Sequence, residues 1–196
     1  MTKLVFATGN KGKLHEARQI MGDGYEIVSP NEIGIEGEAE ETSDSFEGNS
    51  LLKAEYVSKR ADGLMCFADD SGLEVDALGG APGVYSARYA GPDCNFDDNI
   101  NKLLNALDGV PFEKRTARFR CVVTLLSDSR KWVFEGEVNG KIGFERSGNE
   151  GFGYDPVFIP DEFPDQTMAS LGDDLKNTIS HRAKALWVMR KVLEEL

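Results

Sequence analysis

Apolar residues change their spacing along the first thirty positions, and this change predicts the local elements. Residues 3–7 (KLVFA) form a short apolar run that is typical of a buried strand. After residues 8–12, apolar side chains recur at the three- and four-residue spacing of a helix, at Leu14, Ala17, Ile20 and Met21. Residues 25–29 predict a second strand. The chain therefore opens with a strand, a tight loop, a helix and another strand.

The rest of the chain mixes both periodicities. Either Asp44 or Ser45 is expected to cap a second helix that contains Leu51, Leu52 and Ala54. Further elements follow in order: a strand over residues 65–68 that ends in a turn at residues 69–72, a helix after Asp97 and Asp98, a hairpin of residues 117–126 and 132–138, and a closing helix over residues 180–194. This mixture predicts an α/β fold with a mixed sheet.

The composition is that of an ordinary folded protein. With 196 residues, 40% of them apolar, the chain can bury a substantial core, and we expect one domain over residues 1–196. The longest apolar stretch, near residues 121–126, falls far short of the roughly 18 to 20 residues that a membrane span needs. The N-terminus has no long apolar segment of a signal peptide. We therefore expect a cytoplasmic protein with no membrane partner.

Acidic residues outnumber basic ones, 34 against 22, which gives a net charge of −12. Nucleic-acid affinity depends on Lys and Arg that displace counterions, so this charge argues against DNA or RNA as a partner. A small phosphorylated ligand remains compatible, because a few local cations and a divalent metal bind phosphates whatever the net charge. Cys66, Cys94 and Cys121 show no CxxC spacing and are expected to be plain thiols.

The loop of residues 8–13 has the features of an anion-binding turn. It lies between a predicted strand and a predicted helix, where backbone N–H groups and the helix dipole favour a negative ligand. Lys13 adds a positive charge, although the spacing is not that of a Walker A motif. A simple helix cap is the alternative interpretation of these residues.

Two carboxylates, Asp69 and Asp70, directly follow a predicted buried strand. Mg²⁺ prefers oxygen ligands, so such a pair is able to hold this ion and activate water. A further ligand is expected from Glu40 or Glu41, within residues 19–52, a stretch that contains nine acids and no Lys or Arg. A solvated Asx turn is the alternative for the aspartate pair.

Residues suited to recognising a base lie toward the C-terminus. His181 and Arg182 open the last predicted helix, five residues after Lys176, and this cluster favours an anionic or oxo-bearing ligand. Phe152 and Tyr154 lie in a Gly-rich loop, an arrangement that exposes rings for stacking on a base.

Together these segments resemble the inosine triphosphate pyrophosphatases, also called dITP/XTP pyrophosphatases. The matching motifs run in the family's order through nearly the whole chain: ATGNKGK (7–13), AEET (39–42), SFEGNSLLKA (45–54), ADDSGLEVDALGGAPGVYSARYAG (68–91), GFGYDP (151–156) and KNTISHR (176–182). The resemblance implies a mixed α/β fold of two lobes around a long central cleft, in a homodimer. It also implies Mg²⁺-dependent hydrolysis of ITP, dITP and XTP to the monophosphate and pyrophosphate.

The resemblance also assigns site residues. It implies phosphate contacts from Thr8, Gly9, Asn10, Lys11, Gly12, Lys13 and Lys53. It implies a catalytic Asp70 flanked by Asp69 and Ser71, and a metal site of Asp70 with the Glu40/Glu41 pair, in which Glu41 is preferred. Base recognition falls on Phe152, Gly153, Tyr154, Asp155, Lys176, His181 and Arg182. Because Lys and Arg only donate, Lys176 and Arg182 are expected to select the O6 acceptor of a 6-oxopurine over adenine.

Four positions depart from the family's pattern. Ser43, Gly48 and Ser50 stand where a glycine, a glutamate and an alanine are common, so a carboxylate near the metal ligand is lost with the glutamate. Glu150 stands where a glycine is common and is expected to narrow or recharge the rim of the pocket. None of these changes removes a residue assigned to direct contact.

Two other functions are compatible with parts of the sequence. A Maf-like pyrophosphatase would act on other modified nucleotides, but the SHR and FGYDP motifs argue against it. A nucleotide-binding sensor would not hydrolyse its ligand, and the intact Asp69, Asp70 and Lys13 argue against that function.

Overall fold

The computed structural model describes all 196 residues, in which six strands and five α-helices are formed. The strands are β1 (Thr2–Phe6), β2 (Tyr25–Val28), β3 (Cys66–Val75), β4 (Thr116–Ser127), β5 (Arg130–Ile142) and β6 (Phe158–Pro160). The helices are α1 (Lys11–Met21), α2 (Phe46–Ser58), α3 (Phe96–Ala106), α4 (Gly172–Ile179) and α5 (His181–Glu194). None of the five helices combines the length and the apolar composition that a membrane span requires.

The six strands form one mixed sheet in the order β2-β1-β3-β4-β5-β6. Strand β1 is parallel to both of its neighbours, with Leu4 opposite Ile27 on β2 and Phe6 opposite Phe67 on β3. Strand β6 is antiparallel to β5. The parallel β1 and β2 are joined through α1, because parallel neighbours need a crossover connection. The predicted α/β fold with a mixed sheet is confirmed.

The chain divides into two compact units. The first contains residues 1–70, 121–136 and 182–196, and the second contains residues 71–120 and 137–181. The two lobes of the sequence-based interpretation correspond to these units. The single domain and the long cleft stay predictions.

The core of the first unit follows the two-residue period of its strands. Leu4, Phe6 and Phe67 point to one face of the sheet, where they pack with α1 and α5, and the rings of Phe6 and Phe67 stack at 4.4 Å. Val5, Ala7, Cys66 and Ala68 point to the other face and pack with α2. Because both faces are covered, β1 and β3 begin as continuous apolar runs.

The core of the second unit gathers around α3. Ile100 and Leu103 of this helix pack with Phe119 of β4 and Phe158 of β6, and none of these four side chains is more than 7% exposed. Helix α3 is capped by Asn95, whose side chain accepts from the Asp98 backbone N–H. This core fixes the elements that surround the Gly-rich loop of residues 147–156.

Three elements differ from the prediction. Strand β6, which is three residues long, was not predicted. Residues 69–72 lie within β3, which continues to Val75, rather than in a turn. Strand β3 pairs with β1 at Cys66 and Phe67 and lies next to β4 in the sheet, so beyond Phe67 the pairing with β4 outweighs the turn preference of Asp, Ser and Gly. Helix α4 was not predicted, because Lys176 and Ile179 are its only buried residues and its apolar period is short. The three cysteines are unpaired, as expected.

Candidate active site

The predicted anion-binding loop joins β1 to α1 and is held by its own side chains. Asn10 caps the helix, since its Oδ1 accepts from the Lys13 backbone N–H at 3.1 Å, and its own N–H donates to Thr8 Oγ1 at 3.1 Å. Helix α1 begins at Lys11, so Lys11, Gly12 and Lys13 form its first turn. Both interpretations of the segment therefore apply: Asn10 is a cap, and the loop presents a helix N-terminus, which favours anions.

Lys13 reaches from that first turn to Asp69, near the middle of β3. Its Nζ lies 2.9 Å from Asp69 Oδ1, and the other oxygen of Asp69 accepts from Arg182 Nε at 2.9 Å. Arg182 also donates from Nη1 to Glu16 Oε2, on α1. Asp69, Glu16 and Arg182 are each no more than 4% exposed. A buried chain of alternating charges therefore links α1, β3 and the start of α5.

These cations determine the ionisation of Asp69. Burial opposes its charged form, but Lys13, Arg182 and Lys53 outweigh burial and hold the pKa of Asp69 well below its ordinary value. Burial likewise opposes the charge of Arg182, and Asp69 and Glu16 outweigh it, so the pKa of Arg182 is raised. Asp69 therefore stays ionised at neutral pH beside Lys13 of the anion-binding loop.

Asp70 points to the opposite face of β3 and meets other partners, because successive residues of a strand alternate between faces. Its Oδ1 lies 3.3 Å from Lys53 Nζ of α2, and the same Nζ lies 3.5 Å from Glu41 Oε1. Its Oδ2 is buried and has no hydrogen-bond partner. Both Glu40 and Glu41 are exposed. Because Lys53 brings Glu41 and Asp70 to one point, its contact with Glu41 supports the preference for Glu41.

The pKa of Asp70 is raised, in contrast to that of Asp69. Burial is the main cause, Lys53 and Lys13 oppose it, and the nearby charges of Glu41 and Asp69 add to it. For Lys53, burial favours the neutral form, but Asp70, Asp69 and Glu41 outweigh burial and raise its pKa. Two adjacent carboxyl groups therefore have opposite pKa shifts, as is common at catalytic sites.

Glu41 and Asp70 are suited to hold Mg²⁺. A buried carboxylate oxygen without a partner, Asp70 Oδ2, is an available ligand, and Glu41 contacts the same lysine. No group of three or more His, Cys, Asp or Glu side chains that could hold a metal occurs in the molecule. Mg²⁺ commonly uses one or two carboxylates together with water and substrate phosphates, so two carboxylates are enough.

The acidic segment, residues 35–44, also reaches the anion-binding loop. A side chain on Gly9 would place its Cβ 2.7 Å from Glu38 Oε1, so glycine at this position leaves room for that carboxylate. The acidic segment therefore approaches the anion-binding loop through Glu38 and contacts Lys53 through Glu41.

In the second unit, the loop that contains Phe152 is fixed by a buried ion pair. Lys176 Nζ lies 2.6 Å from Asp155 Oδ2, and the same oxygen accepts from the Phe152 backbone N–H at 3.1 Å. The ammonium of Lys176 also lies 4.8 Å from the centre of the Phe152 ring. Phe152 and Gly153 are half-buried, whereas Asp155 and Lys176 are buried. One donor, one acceptor and one ring are thus held together.

A cavity of about 380 Å³ lies beside Phe152. It is lined by Asn95, Phe96, Asp97, Ile100 and residues 149–153 with Pro156, so Glu150 belongs to its wall. The ring of Phe96, at the start of α3, lies 6.3 Å from that of Phe152. Phe96 was not singled out in the sequence, because a lone aromatic residue at a helix start is usually part of the core.

Tyr154 does not offer its ring for stacking, which corrects one expectation. It is 6% exposed, it packs in the core of the second unit, and its hydroxyl donates to the Ser86 backbone oxygen at 2.6 Å. Burial raises the pKa of this hydroxyl. Tyr154 therefore attaches the Gly-rich loop to the core of the second unit, and Phe152 is the ring available to a ligand.

His181 and Arg182 are neighbours in sequence but have different surroundings. The His181 ring stacks on Phe119 at 4.9 Å within the second unit. Arg182 is 2% exposed, and its guanidinium binds Asp69 and Glu16 in the first unit. Direct contact of Arg182 with a base edge stays a prediction, and its geometry supports an action through Asp69. Ser71 follows Asp70 in β3 and is half-buried.

Three residues of this site were missed in the sequence. They are Glu16, Cys121 and Asn49, and the Asn49 amide bonds the Ser43 backbone. Glu16 carried a signal, because a glutamate next to Ala17 on the buried side of an amphipathic helix needs a charged partner. Cys121 gave none; its Sγ lies 3.7 Å from Asp69 Oδ2, to which it donates, and burial raises the pKa of its thiol.

Known proteins match the chain over nearly all of its length. The model of the Ham1 family matches residues 4–192. A dITP/XTP pyrophosphatase of Porphyromonas gingivalis is 53% identical over 193 residues, 98% of each chain, and one of Bacillus subtilis is 50% identical over 197 residues, 99% of this chain and 98% of its own. The solved Staphylococcus aureus Ham1 protein is similar with a TM-score of 0.86 and 40% identity, and 99% of each chain is covered.

Proposed function

The chain belongs to the Ham1 family, and on that premise we propose that it hydrolyses non-standard purine nucleoside triphosphates (ITP, dITP and XTP) to the monophosphate and pyrophosphate. One observation supports this activity most. Two adjacent aspartates of β3 each pair with a lysine near the anion-binding loop: Asp69 pairs with Lys13, and Asp70 pairs with Lys53. Cations, carboxylates and a helix N-terminus in one unit are what phosphoryl transfer requires.

We assign the triphosphate to the first unit. Thr8, Gly9, Asn10, Lys11 and Gly12 surround the start of α1, where the helix dipole attracts phosphate oxygens. Lys13 and Lys53 are held by carboxylates near this loop, so their ammonium groups are in place before a nucleotide binds. Their role is to neutralise the charge that develops on the leaving pyrophosphate.

Mg²⁺ is the cofactor that we propose for Glu41 and Asp70. When bound there, it supplies positive charge that offsets the phosphates and makes water more acidic. The unpartnered Oδ2 of Asp70 and the position of Glu41 on Lys53 support this assignment. The other ligands come from the substrate and water.

Asp70 is the residue that we assign to proton transfer. A water molecule attacks the α-phosphorus, its proton passes to an Asp70 carboxylate oxygen, and pyrophosphate leaves. The place of the Asp70 carboxylate beside Lys53 supports this role, because a general base has to lie within reach of the proton that it accepts. Little covalent chemistry falls to the protein, so positioning and charge stabilisation contribute most of the acceleration.

We assign the purine to the second unit. Phe152 offers a ring face, and the buried pair of Lys176 and Asp155 offers a donor beside an acceptor. A 6-oxopurine presents O6 as an acceptor and N1–H as a donor, which matches this pair, whereas adenine presents the opposite pattern. The stacked His181 adds a polar ring in the same unit.

Three further properties belong to the proposal. The resemblance to the family supports a homodimer. The triphosphate substrate and the three unpaired cysteines support a location in the cytoplasm. The net charge of −12 supports a free nucleotide rather than a nucleic acid as the partner.

A product analysis tests the proposed reaction. The purified chain is incubated with ITP and Mg²⁺, and the products are separated by chromatography, with Asp70→Asn as the control for contaminating phosphatases. We expect IMP and pyrophosphate in equal amounts. IDP with inorganic phosphate would show a different hydrolase, and binding of ITP without cleavage would show a sensor.

A further inference from the structure

The acidic segment that contains Glu41 has no regular structure of its own. Residues 35–44 form neither helix nor strand, and one short backbone contact, from Thr42 N–H to the Glu40 oxygen at 3.1 Å, lies within the part around Glu41. The Glu41 side chain is 34% exposed, and Lys53 is its ion-pair partner. A carboxylate on such a segment needs an external support to stay beside Asp70.

That support comes from one face of α2. Asn49 is fully buried, its Oδ1 accepts from the Ser43 backbone N–H at 3.0 Å, and its Nδ2 donates to the Ser43 backbone oxygen at 3.1 Å. One turn later Lys53 contacts Glu41, and Tyr56 donates from its hydroxyl to the Glu36 oxygen at 3.0 Å. Positions 49, 53 and 56 follow the spacing of a single helix face.

Gly48 makes room for this arrangement. A Cβ on Gly48 would lie 2.0 Å from Ser43 Oγ and 2.6 Å from Ser43 Cβ, so the Ser43 side chain covers the glycine. Ser43 Oγ in turn accepts from the Ser45 backbone N–H at 3.2 Å, and Ser45 Oγ caps α2 at the Gly48 N–H. The backbone at Gly48 is helical, so the glycine is needed for space and not for its conformation.

We propose that Asn49 is a positioning residue, which holds the Ser43 backbone over Gly48 and thereby keeps Glu41 beside Lys53 and Asp70. This inference rests on the proposed function, since the position of Glu41 matters where a carboxylate pair binds Mg²⁺. The amide is suited to the task because it both donates and accepts, and the backbone of Ser43 requires both. A carboxylate at position 49 would face the Ser43 oxygen without a proton to share.

The matched pair for a test is Asn49→Leu and Ser50→Ala. Both residues are fully buried on α2, but Ser50 bonds Thr124 Oγ1 at 2.6 Å and the Glu47 backbone oxygen at 3.1 Å, whereas Asn49 bonds the Ser43 backbone. Two readouts need no nucleotide: binding of Mg²⁺ alone by calorimetry, and the rate at which a glutamate-specific protease cuts at Glu40 and Glu41. The thermal unfolding midpoint of each variant accounts for lost stability.

We expect Asn49→Leu to weaken Mg²⁺ binding by about tenfold or more, as residues that orient metal ligands commonly do, and to be cut faster than Ser50→Ala. In the activity assay its turnover recovers at high Mg²⁺, which a purely structural defect would not show. Equal Mg²⁺ affinity and equal cutting in the two variants would overturn the proposal.

A second comparison serves if Asn49→Leu does not fold. Gly48→Ala places a methyl group against Ser43 and is expected to speed cutting at Glu40 and Glu41, whereas Ser43→Gly combined with Gly48→Ala removes the clash and restores slow cutting. A silent Gly48→Ala, or a double variant no better than the single one, would overturn the proposal. Cutting rates do not depend on turnover, so a failure of the proposed hydrolysis would be seen separately.

Discussion

Asp69 and Asp70 are adjacent in the chain, yet their carboxylates serve different parts of the site. The two-residue period of β3 turns Asp69 toward Lys13 and Arg182 and turns Asp70 toward Lys53. The first stays ionised because cations surround it, and the pKa of the second is raised mainly by burial. A strand, rather than the expected turn, creates this division of roles.

The division predicts the effect of Asp70→Asn. The amide keeps the shape of the side chain but neither accepts the proton of water nor acts as an anionic metal ligand. We expect kcat for ITP to fall by about 10² to 10⁴-fold while the nucleotide still binds. Steady-state kinetics and calorimetric ITP binding provide the measurement, with the exposed Asp165→Asn as the control. Near wild-type kcat in Asp70→Asn would refute the assignment.

Glu41 and Glu40 are separated by a second pair of variants. The Lys53 ammonium contacts both Glu41 and Asp70, so Glu41→Gln is expected to raise the Mg²⁺ concentration for half-maximal activity more than Glu40→Gln does. An Mg²⁺ titration of both variants at fixed ITP measures the difference. The reverse order would identify Glu40 as the ligand.

Arg182 has a different expected phenotype from a residue that contacts the base. Its removal in Arg182→Ala leaves Asp69 and Glu16 buried without their common partner, and we expect a loss of about 3 to 5 kcal/mol in unfolding free energy. Arg190→Ala, which removes an exposed pair with Glu194 on the same helix, is expected to cost less than about 1 kcal/mol. Urea unfolding measures both values.

The same variant also reports on selectivity. If Arg182 acts through Asp69, Arg182→Ala lowers kcat/KM for ITP and for ATP alike, and the ITP to ATP ratio is unchanged. A narrower ratio would mean that the guanidinium contacts the base edge after all, as the sequence motif suggested.

The sequence predicted which residues belong to the site better than it predicted how buried they are. Lys13, Lys53, Glu41 and Asp70 were identified from motifs, and the structure brings them into one unit. The buried Arg182 and the buried Tyr154 were not foreseen, because burial depends on which distant segments pack against a side chain. Glu16 meets Arg182 across 166 positions. Its place beside Ala17 indicates a buried charged partner, but no local pattern identifies Arg182 as that partner.

Close packing of the backbone against buried side chains holds the elements of the site in place. The loop of residues 151–153 shows this most clearly. Gly151 and Gly153 both have positive φ, +73° and +63°, so an alanine at either position strains the backbone. A Cβ at Gly151 would lie 2.2 Å from Asp155 Oδ2 and 3.2 Å from Lys176 Nζ, whereas one at Gly153 meets nothing within 4 Å.

Alanine at Gly151 and at Gly153 strains the backbone in both cases, but only at Gly151 does it also collide with Asp155 and Lys176. We expect Gly151→Ala to displace the Asp155 and Lys176 pair and to lower kcat/KM for ITP by about tenfold or more beyond the loss in Gly153→Ala. Thermal unfolding of the two variants checks that their stability losses are similar. Equal kinetic losses would show that the ion pair does not set the position of Phe152.

Elements with a strong period were predicted well, and those fixed by tertiary contacts were not. Helix α1 and the strands joined by Asp128 and Ser129 follow from apolar spacing. The Ser45 cap of α2 was one of two alternatives, and the structure selects it through the bond to the Gly48 N–H. Residues 69–72 were assigned to a turn because Asp, Ser and Gly favour turns locally, and pairing within the sheet overrides that preference.

At the scale of the whole molecule, the two compact units divide the proposed work. The first contains the charges suited to phosphates and a metal ion, and the second contains the ring and the ion pair suited to a purine. The chain passes between the units within β3, directly after Asp70. The sequence indicated this organisation only through the resemblance to a family, because apolar periodicity does not show which distant segments form one unit.

The proposed purine selectivity is tested by kcat/KM for ITP, XTP, GTP and ATP in the wild-type chain with Mg²⁺, with pyrophosphate release as the signal. We expect ITP and XTP to exceed ATP by a factor on the order of 10⁴, because ATP leaves buried donors unpaired. GTP shares O6 and is rejected less strongly, at its 2-amino group, since the site admits the 2-oxo group of XTP. Equal kcat/KM values for ATP, ITP and XTP would refute the proposed selection of 6-oxopurines.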